Sequence, residues 1–443
     1  MDKQWTELSP EKKREARFQR WLSPENVKFR SPEAEQLYKG RVTRLIKAIK
    51  LQEPDRVPVH LPYGFFPAFY AGGTLQSVMY DYDELRRSWT KFIHDFDMDT
   101  YIGPSLVFPA RALENLNYRV FKWPGYGLAP DASTYQFVEG ENMKADEYDA
   151  FISNPADFMQ RSFLPRIMGV LEPLQHLSPL NHMMGIPMGY IAPYGRPDVQ
   201  SALKTLMEAG QEIMKWQEAV AECNREALES GLPTFFGGGG GVPFDAIGDF
   251  LRGTQGIMMD MFRQPEKLHE AMEKIMPTGI RMAISGANAS GVPIVAFALH
   301  KGDDSFMSLK QFEAFYWSYL KRVLLALIDE GLVPLLFAEG NYTKRLDIIK
   351  ELPRSGVVWW FERTDITLAK KVLGDTACIA GNVPPSLLCT GTPREVKECC
   401  RQLIEVCGKG GGFILTGGAD MNKGNPDNLH AMMEAAKEYG TYG

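Results

Sequence analysis

The chain has 443 residues, a length that fits one large domain with insertions and does not require a second domain. Apolar residues make up 44% and charged residues 23%, which is typical of a soluble globular protein. The formal net charge is −6 and no long basic run occurs, so the composition argues against a surface that binds nucleic acid.

Residues 1–21 are rich in charge and lack the apolar run of a signal peptide. No apolar run approaches the ~20 residues of a membrane helix. The six cysteines do not have zinc-finger spacing, which favours reduced, buried thiols. We therefore expect a cytoplasmic protein that is not inserted in a membrane.

Residues 1–37 predict a helical arm, in which a few large apolar side chains stand among many charges. The sequence does not decide whether this arm packs on its own chain or on a second subunit, so a homodimer remains open. Residues 38–443 are predicted to form the main domain. It begins with a helix at 38–51 and a first strand at 56–59.

An aromatic loop follows the first predicted strand. We expect His60, Tyr63 and Phe65 to lie at the rim of the fold and to bind substrate. Further on, Asp83 is predicted to cap the helix that starts at residue 84. Asp81 has no such explanation and is a candidate catalytic carboxylate, although an ordinary surface turn would also account for it.

Residues 104–187 are irregular and rich in proline, which predicts a long insertion that covers the active site. A helix at 201–229 and a strand at 233–236 come next, and five glycines occupy 237–241. Glycines allow a ligand to approach the backbone closely, which makes Gly239 a candidate substrate contact. The run lacks the spacing of nucleotide-binding motifs, so we favour a tight active-site loop.

Residues 294–421 contain repeated units of a strand and then a helix. Short apolar runs, typical of strands buried on both faces, occupy 294–299, 333–337, 357–361, 377–380 and 412–416. Capping boxes at Ser308 with Gln311 and at Thr392 with Glu395 mark two of the intervening helices. This pattern predicts an α/β fold, a (β/α)₈ TIM barrel with an N-terminal helical extension, whose active site lies at the carboxyl ends of the strands.

Polar residues follow these strands. Candidates for catalysis or substrate binding at the strand ends are His300, Asp303, Asp304, Glu339, Asn382 and Asp420. His300 with Glu339 could be a general acid–base pair, because carboxylates at an apolar rim acquire a raised pKa. His300, Glu339 and Asp420 could instead hold a divalent metal such as Zn²⁺. Caps or salt bridges are the simpler alternative for each residue.

Several short motifs resemble the uroporphyrinogen decarboxylase superfamily, which includes decarboxylases of haem synthesis and cobamide-dependent methyltransferases. The motifs lie at 55–58 (DRVP), 250–253 (FLRG), 381–384 (GNVP), 391–393 (GTP) and 410–415 (GGGFIL). The resemblance covers residues 38–443, with 104–187 matching poorly, and it again implies a (β/α)₈ barrel.

The chain lacks a motif of each of two subgroups of this superfamily, the true decarboxylases and the coenzyme M methyltransferases. True decarboxylases have an arginine-rich loop after the first strand, but here no arginine lies between Arg56 and Arg86. Coenzyme M methyltransferases hold zinc with His-x-Cys and a later Cys, and the matching positions here end in Glu339 and Asp420. Activation of a thiol by zinc is therefore not expected.

The resemblance implies an enzyme, most consistent with a methyltransferase that moves a methyl group from a small donor, such as a methyl ether, to a corrinoid on a partner protein. A decarboxylase of a porphyrinogen or related acid, which needs no cofactor, is the alternative. A non-catalytic binding protein is the third reading, and the acidic strand ends argue against it.

Overall fold

The computed structural model describes residues 3–25, 27–179 and 187–442. Its main sheet has six parallel strands in the order β4-β5-β6-β7-β8-β9, and a small second sheet has the order β2-β1-β3. The strands β1 to β9 span Phe121–Pro124, Gly127–Leu128, Gln136–Phe137, Gly238–Gly239, Ile294–Leu299, Val333–Ala338, Val358–Phe361, Cys378–Val383 and Phe413–Gly417.

Helices surround the main sheet. In the described residues α1 to α22 span Lys3–Thr6, Pro10–Leu22, Pro32–Ile49, Phe66–Tyr70, Leu75–Tyr80, Tyr82–Asp95, Ala110–Asn115, Tyr148–Ser153, Pro155–Phe158, Leu164–Ile167, Met188–Ile191, Pro197–Glu229, Pro243–Ala246, Gly253–Arg263, Pro265–Ser290, Leu309–Gln311, Ser318–Asp329, Leu346–Ile349, Ile366–Leu373, Pro385–Thr390, Pro393–Cys407 and Pro426–Tyr439. Short 3₁₀ segments occupy Pro104–Leu106, Gly169–His176, Ala192–Gly195 and Thr343–Arg345, and π-helical segments occupy Met159–Phe163, Ile247–Arg252 and Phe312–Trp317.

The five strands predicted between residues 294 and 421 are confirmed, with ends that differ by at most three residues. Both predicted capping boxes form, at the starts of α16 and α21. Each strand pairs in parallel with the next along the chain, so their carboxyl ends meet along one edge, here called the rim. Strands β7 and β9 are buried along their whole length, as expected for a sheet covered on both faces.

The predicted strands at 56–59 and 233–236 form only isolated bridges. Val59 bridges Leu415 in parallel, and Thr234 bridges Tyr101 in parallel. Pro58 and Pro233 accept backbone hydrogen bonds from Leu415 and Tyr101, but proline has no N–H group to donate in return. The ladders at these positions are short for this reason.

The N-terminal arm packs on its own chain. Phe18 and Trp21 of α2 are fully buried in a cluster with Tyr38 of α3 and with Ile294 and Val333, which begin strands β5 and β6. This contact covers the amino ends of the strands, opposite the rim. The predicted boundary at residue 37 falls inside α3.

The predicted insertion at 104–187 contains short helices and the small sheet β2-β1-β3, and its residues 180–186 lie outside the described residues. Its Thr134 and Tyr135 reach the cavity described below. In the parts of the chain that the structure describes, no helix combines the length and apolar character needed to cross a membrane.

The glycines at residues 237–241 allow neighbouring segments to pack closely against the sheet. A Cβ atom at Gly240 would lie 2.0 Å from the ring of Phe297, and one at Gly238 would lie 3.1 Å from the backbone of Ala287 in α15. A Cβ atom at Gly239 would meet nothing within 4 Å. The run therefore lets α15 and Phe297 approach the edge of the sheet.

Gly240→Ala is expected to destabilise the fold by about 1–3 kcal/mol, because the added methyl group must displace the Phe297 ring. Gly239→Ala, one residue away, is the matched control and should change the free energy of unfolding by much less. Urea denaturation of both variants tests this expectation. Equal stabilities would contradict it.

Candidate active site

A hydrogen-bonded network follows strand β5 at the rim. The imidazole Nδ1 of His300 lies 2.6 Å from Asp249 Oδ2, and the ammonium group of Lys301 donates to the other oxygen of Asp249. Asp245 is buried and accepts hydrogen bonds from the backbone N–H groups of His300 and Lys301 and from the hydroxyl of Tyr316. These two aspartates, one helical turn apart, fix the position of His300.

His300 and Glu339 come together as the sequence predicted. Glu339 follows strand β6 directly, and its Oε1 lies 3.6 Å from Nε2 of His300. Both side chains keep about two-fifths of their surface exposed. Glu362, at the end of β7, accepts a hydrogen bond from the backbone N–H of Gly340 and so supports the same loop. The pair is therefore accessible from the rim.

The electrostatics of the pair favour proton donation. The hydrogen bond to Asp249, with a smaller contribution from the charge of Glu339, raises the pKa of His300 to about 9. Burial raises the pKa of Glu339, although the charge of His300 partly offsets this effect. Burial and the charge of Asp249 raise the pKa of Asp245 to about 7. At neutral pH the imidazole of His300 therefore carries a proton, and its Nε2–H faces Glu339.

A cavity of about 220 Å³ lies between the aromatic loop after residue 60 and the insertion, and its described lining residues include neither His300 nor Glu339. Its walls include the predicted substrate contacts His60, Tyr63 and Phe65, and also Asp420, whose carboxylate is accessible from the cavity. Surrounding protein atoms raise the pKa of Asp420 to about 6. The charge of Asp420 also contributes to the raised pKa of Glu339. Asp420 therefore connects the cavity electrostatically to the acid–base pair.

Local contacts hold the aromatic loop in place. The backbone N–H of Val59 donates to Asp99, which is itself paired with Arg44 and Arg56. The hydroxyl of Tyr63 donates to the carbonyl of Ile102. These buried contacts fix the segment that carries the cavity wall.

His60 within this loop is neutral. Its ring is fully buried, lies 4.6 Å from the ring of Phe235, and has Nδ1 at 2.7 Å from the hydroxyl of Thr100. Burial lowers the pKa of His60 to about 3, so the ring carries no charge at neutral pH.

Three other predicted substrate contacts form hydrogen bonds between loops and are not among the residues that line the cavity. Asp303 accepts from the backbone of Ser305 and of Asn341, and Asp304 accepts from the backbone of Lys344. The amide group of Asn382 donates to the carbonyls of residues 362 and 364. These side chains hold the ends of neighbouring strands together.

Asp81 and Gly239 also differ from expectation. Asp81, not Asp83, caps α6, since its Oδ1 accepts from the backbone N–H groups of residues 83 and 84. Asp83 instead pairs with Arg86. Gly239 lies in the short strand β4 and is not among the residues that line the cavity. An Asx cap needs its acceptor two or three residues before the donors, which Asp81 satisfies.

The predicted metal site does not fit this arrangement. Within the described ranges, no three histidine, cysteine or carboxylate side chains group closely enough to hold a metal ion. No step below passes through a bound metal.

Sequence reasoning missed Asp245, Asp249 and Lys301. The spacing of the two aspartates was a usable signal, because acids four residues apart lie on one face of a helix. Their partner His300 is more than fifty residues away, and no sequence pattern connects the two segments. Trp89, which also lines the cavity, lies on the buried face of α6 and gave no separate signal.

The fold and the site together define a parallel α/β protein in which His300 and Glu339 meet at the carboxyl ends of two neighbouring strands. The model of the uroporphyrinogen decarboxylase (URO-D) family matches residues 181–439, more than half of the chain. The chain belongs to the uroporphyrinogen decarboxylase family, a family of enzymes. The resemblance drawn from the sequence motifs is confirmed.

Individual relatives are distant. A uroporphyrinogen decarboxylase from Coxiella burnetii is 22% identical over 182 residues, which are 40% of this chain and 49% of that protein. Methylcobamide:CoM methyltransferase MtbA from Methanosarcina acetivorans is 29% identical over 129 residues, which are 29% of this chain and 37% of that protein. The chain thus spans half or less of the length of these two relatives.

The similarity to a solved structure covers more of the chain than these sequence matches do. A methyltransferase from Methanosarcina mazei has a TM-score of 0.56 and 18% sequence identity, and the match covers 91% of this chain and 98% of that one. The two proteins therefore share a fold over nearly their whole length, including the region before residue 181 that the family model does not match.

Proposed function

We propose that this protein is a methyltransferase that moves a methyl group from a small donor to a corrinoid carried by a partner protein. The observation that carries the proposal is the contact of His300 with Glu339 at the rim, together with a compact cavity whose described lining residues include no lysine or arginine. The similarity to named methyltransferases in sequence and in fold agrees with it.

The proposed chemistry is proton donation to a leaving oxygen. The bond between the oxygen and the methyl carbon breaks, its electron pair stays on oxygen, and the methyl group passes to the nucleophilic acceptor. His300 gives the proton on Nε2 to that oxygen, and the carboxylate of Glu339 stabilises the protonated imidazole before the transfer. A positioned acid of this kind contributes about 10²–10⁴-fold to a rate.

The size and charge of the cavity favour this function over decarboxylation of uroporphyrinogen. An engineered apolar cavity of about 150 Å³ holds one benzene ring, so 220 Å³ suits one substituted ring and not a tetrapyrrole. The several propionate groups of uroporphyrinogen need cationic partners, and the described lining residues include no lysine or arginine.

We also propose that the main sheet closes into a (β/α)₈ barrel. Backbone hydrogen bonds from Leu415 to Pro58, from Asp99 to Val59 and from Tyr101 to Pro233 support this proposal. These bonds support an order in which residues 58–59 and 99–101 are two further short strands between β9 and residues 233–239. Closure would bring all eight strand ends to one rim.

The test is a methyl-transfer screen of the purified protein with free cob(I)alamin as acceptor and methanol, methoxybenzenes and methylamines as donors. Formation of methylcobalamin, followed by its absorbance, is the expected result with at least one donor. Absence of transfer with every donor, with cob(I)alamin intact, would contradict the proposal.

Decarboxylation remains the second candidate, because the family model and a relative from Syntrophotalea carbinolica, 25% identical over 252 residues (55% of this chain, 71% of that one), carry the name uroporphyrinogen decarboxylase. In this alternative a rim carboxylate would stabilise the protonated substrate ring. Release of CO₂ from uroporphyrinogen by the purified protein would establish it and would displace the methyltransferase proposal.

A further inference from the structure

The cavity of about 220 Å³ combines aromatic walls with a single acidic side chain. Its described lining residues include Tyr63, Phe65 and Tyr135. Phe65 and Tyr135 pack edge to face with their ring centroids 5.5 Å apart, so the aromatic loop and the insertion share one wall. Asp420 is the one acidic residue among the described lining residues, which include no lysine or arginine. Aromatic rings around one carboxylate are typical of a site for an organic cation.

The carboxylate of Asp420 has no cationic partner in the part of the chain that the structure describes. It forms no ion pair and accepts no hydrogen bond there, and no positive group offsets the effect of burial on its pKa. Lys423, the nearest basic residue in the sequence, instead lies over the ring of Phe69 at 4.8 Å and donates to the carbonyl of Asp131. A carboxylate in these surroundings is stabilised by a cation that enters the cavity.

The residues that follow Asp420 hold it against the aromatic loop. The backbone N–H of Met421 donates to the carbonyl of Pro62 at 2.7 Å. The side-chain oxygen Oδ1 of Asn422 accepts from the backbone N–H of Phe65 at 3.1 Å. The carboxylate therefore has its position before a ligand binds, which lowers the entropic cost of binding.

The walls near Asp420 suit methyl groups better than N–H donors. Burial raises the pKa of Tyr63 and of Tyr135, and the charge of Asp420 contributes to both, so the two rings lie near the carboxylate. The hydroxyl of Tyr63 donates to the carbonyl of Ile102, and that of Thr134 donates to the carbonyl of Tyr135. A primary ammonium group carries three N–H donors, and one carboxylate beside aromatic rings does not satisfy all of them. Methyl groups on nitrogen need no acceptor and pack against ring faces.

We propose that the cavity binds a small organic cation with a methylated ammonium group, whose charge pairs with Asp420 and whose methyl groups pack against the aromatic walls. The volume agrees, because a trimethylammonium group is about the size of a benzene ring, which an engineered cavity of about 150 Å³ holds. This inference goes beyond the proposed function, since it does not require the cation to be the methyl donor. It concerns binding alone, and no bond forms or breaks.

Calorimetry with the purified full-length protein, without any methyl acceptor, tests this inference. The probes are choline, its uncharged analogue of the same shape 3,3-dimethyl-1-butanol, and ethanolamine, which keeps the charge but has no methyl groups. We expect choline to bind about tenfold more tightly than either of the other two. Equal or tighter binding of the uncharged analogue, or of ethanolamine, would overturn the inference.

Asp420→Asn is expected to remove the preference for choline over its uncharged analogue, while the affinity for the analogue changes little. Asp427→Asn, which alters an exposed carboxylate at the start of α22, is the matched control and should keep the preference. Retention of the preference in a folded Asp420→Asn variant would overturn the inference.

A second pair of variants tests whether choline binds in this cavity. Tyr135→Leu removes one aromatic ring of the wall and is expected to weaken choline binding about tenfold. Tyr135→Phe keeps the ring and should retain the affinity. Unchanged binding of choline to the folded leucine variant would show that the cation lies elsewhere and would overturn the inference.

The binding test and the methyl-transfer screen fail separately. Methyl transfer from any donor, with no binding of choline, would overturn the inference alone. Binding of choline with the expected preference, lost in Asp420→Asn, would support the inference. If no donor then transferred a methyl group, that result would contradict the proposed function alone.

Discussion

Replacing Glu339 with glutamine is expected to lower kcat for methyl transfer by about 10²–10⁴-fold, because glutamine has the same shape but no charge to stabilise the protonated imidazole of His300. KM for the donor should change little, since glutamine occupies the same space as glutamate. The measurement is steady-state formation of methylcobalamin with saturating donor at pH 7.

A control variant and measurements of folding test whether the loss of activity belongs to Glu339. Glu351→Gln removes an exposed carboxylate that pairs with Lys321 away from the rim, and it should retain full activity. Circular dichroism and thermal unfolding of both variants should match the parent protein. A folded Glu339→Gln variant with normal kcat would show that Glu339 does not support proton donation by His300 and that the site is assigned to the wrong residue.

Replacing Asp249 with asparagine is expected to move the alkaline limb of the pH–rate profile to lower pH. The proton on His300 is present below its pKa of about 9 and is lost as the pH rises through that value, so activity should fall above pH 9 in the parent protein. The hydrogen bond to Asp249 is the largest contribution to this raised pKa. Without it, burial lowers the pKa of the histidine toward or below its ordinary value of 6.5.

A merely structural role for Asp249 would give a different result. Loss of its contact with Lys301 should lower the stability of the variant, but a general loss of stability would reduce activity without moving the limb. Asp347→Asn, which removes an exposed pairing with Lys350, is the control and should keep the limb near pH 9. An unshifted limb in folded Asp249→Asn would exclude Asp249 as the residue that holds the proton on His300.

Local sequence patterns were sufficient to predict the strands and helix starts of residues 294–421. Strands β5 to β9 were predicted because each is a short apolar run between polar segments, and the helix starts at Ser308 and Thr392 because a capping box depends on residues three apart. The pairing of His300 with Glu339 followed as well. Both come directly after adjacent parallel strands, whose carboxyl ends must meet.

Local sequence patterns did not predict the role of a residue where that role depends on contacts with a distant segment. The glycine run looked like a ligand loop, but the nearness of Phe297 and of helix α15 makes it a packing surface. Asp303 and Asp304 looked like free rim carboxylates, yet the adjacent loop at 341–344 supplies backbone donors to both. None of these partners is close in sequence.

The sequence by itself determined the family, the repeated parallel strands and the end of the sheet at which the polar residues gather, because each depends on neighbours within a few positions. Only the tertiary structure decided which of those polar residues are free to act. Burial, a charged partner and the closeness of a second segment set the pKa of each group and the shape of the cavity. These quantities arise between segments that fold together from far apart in the chain.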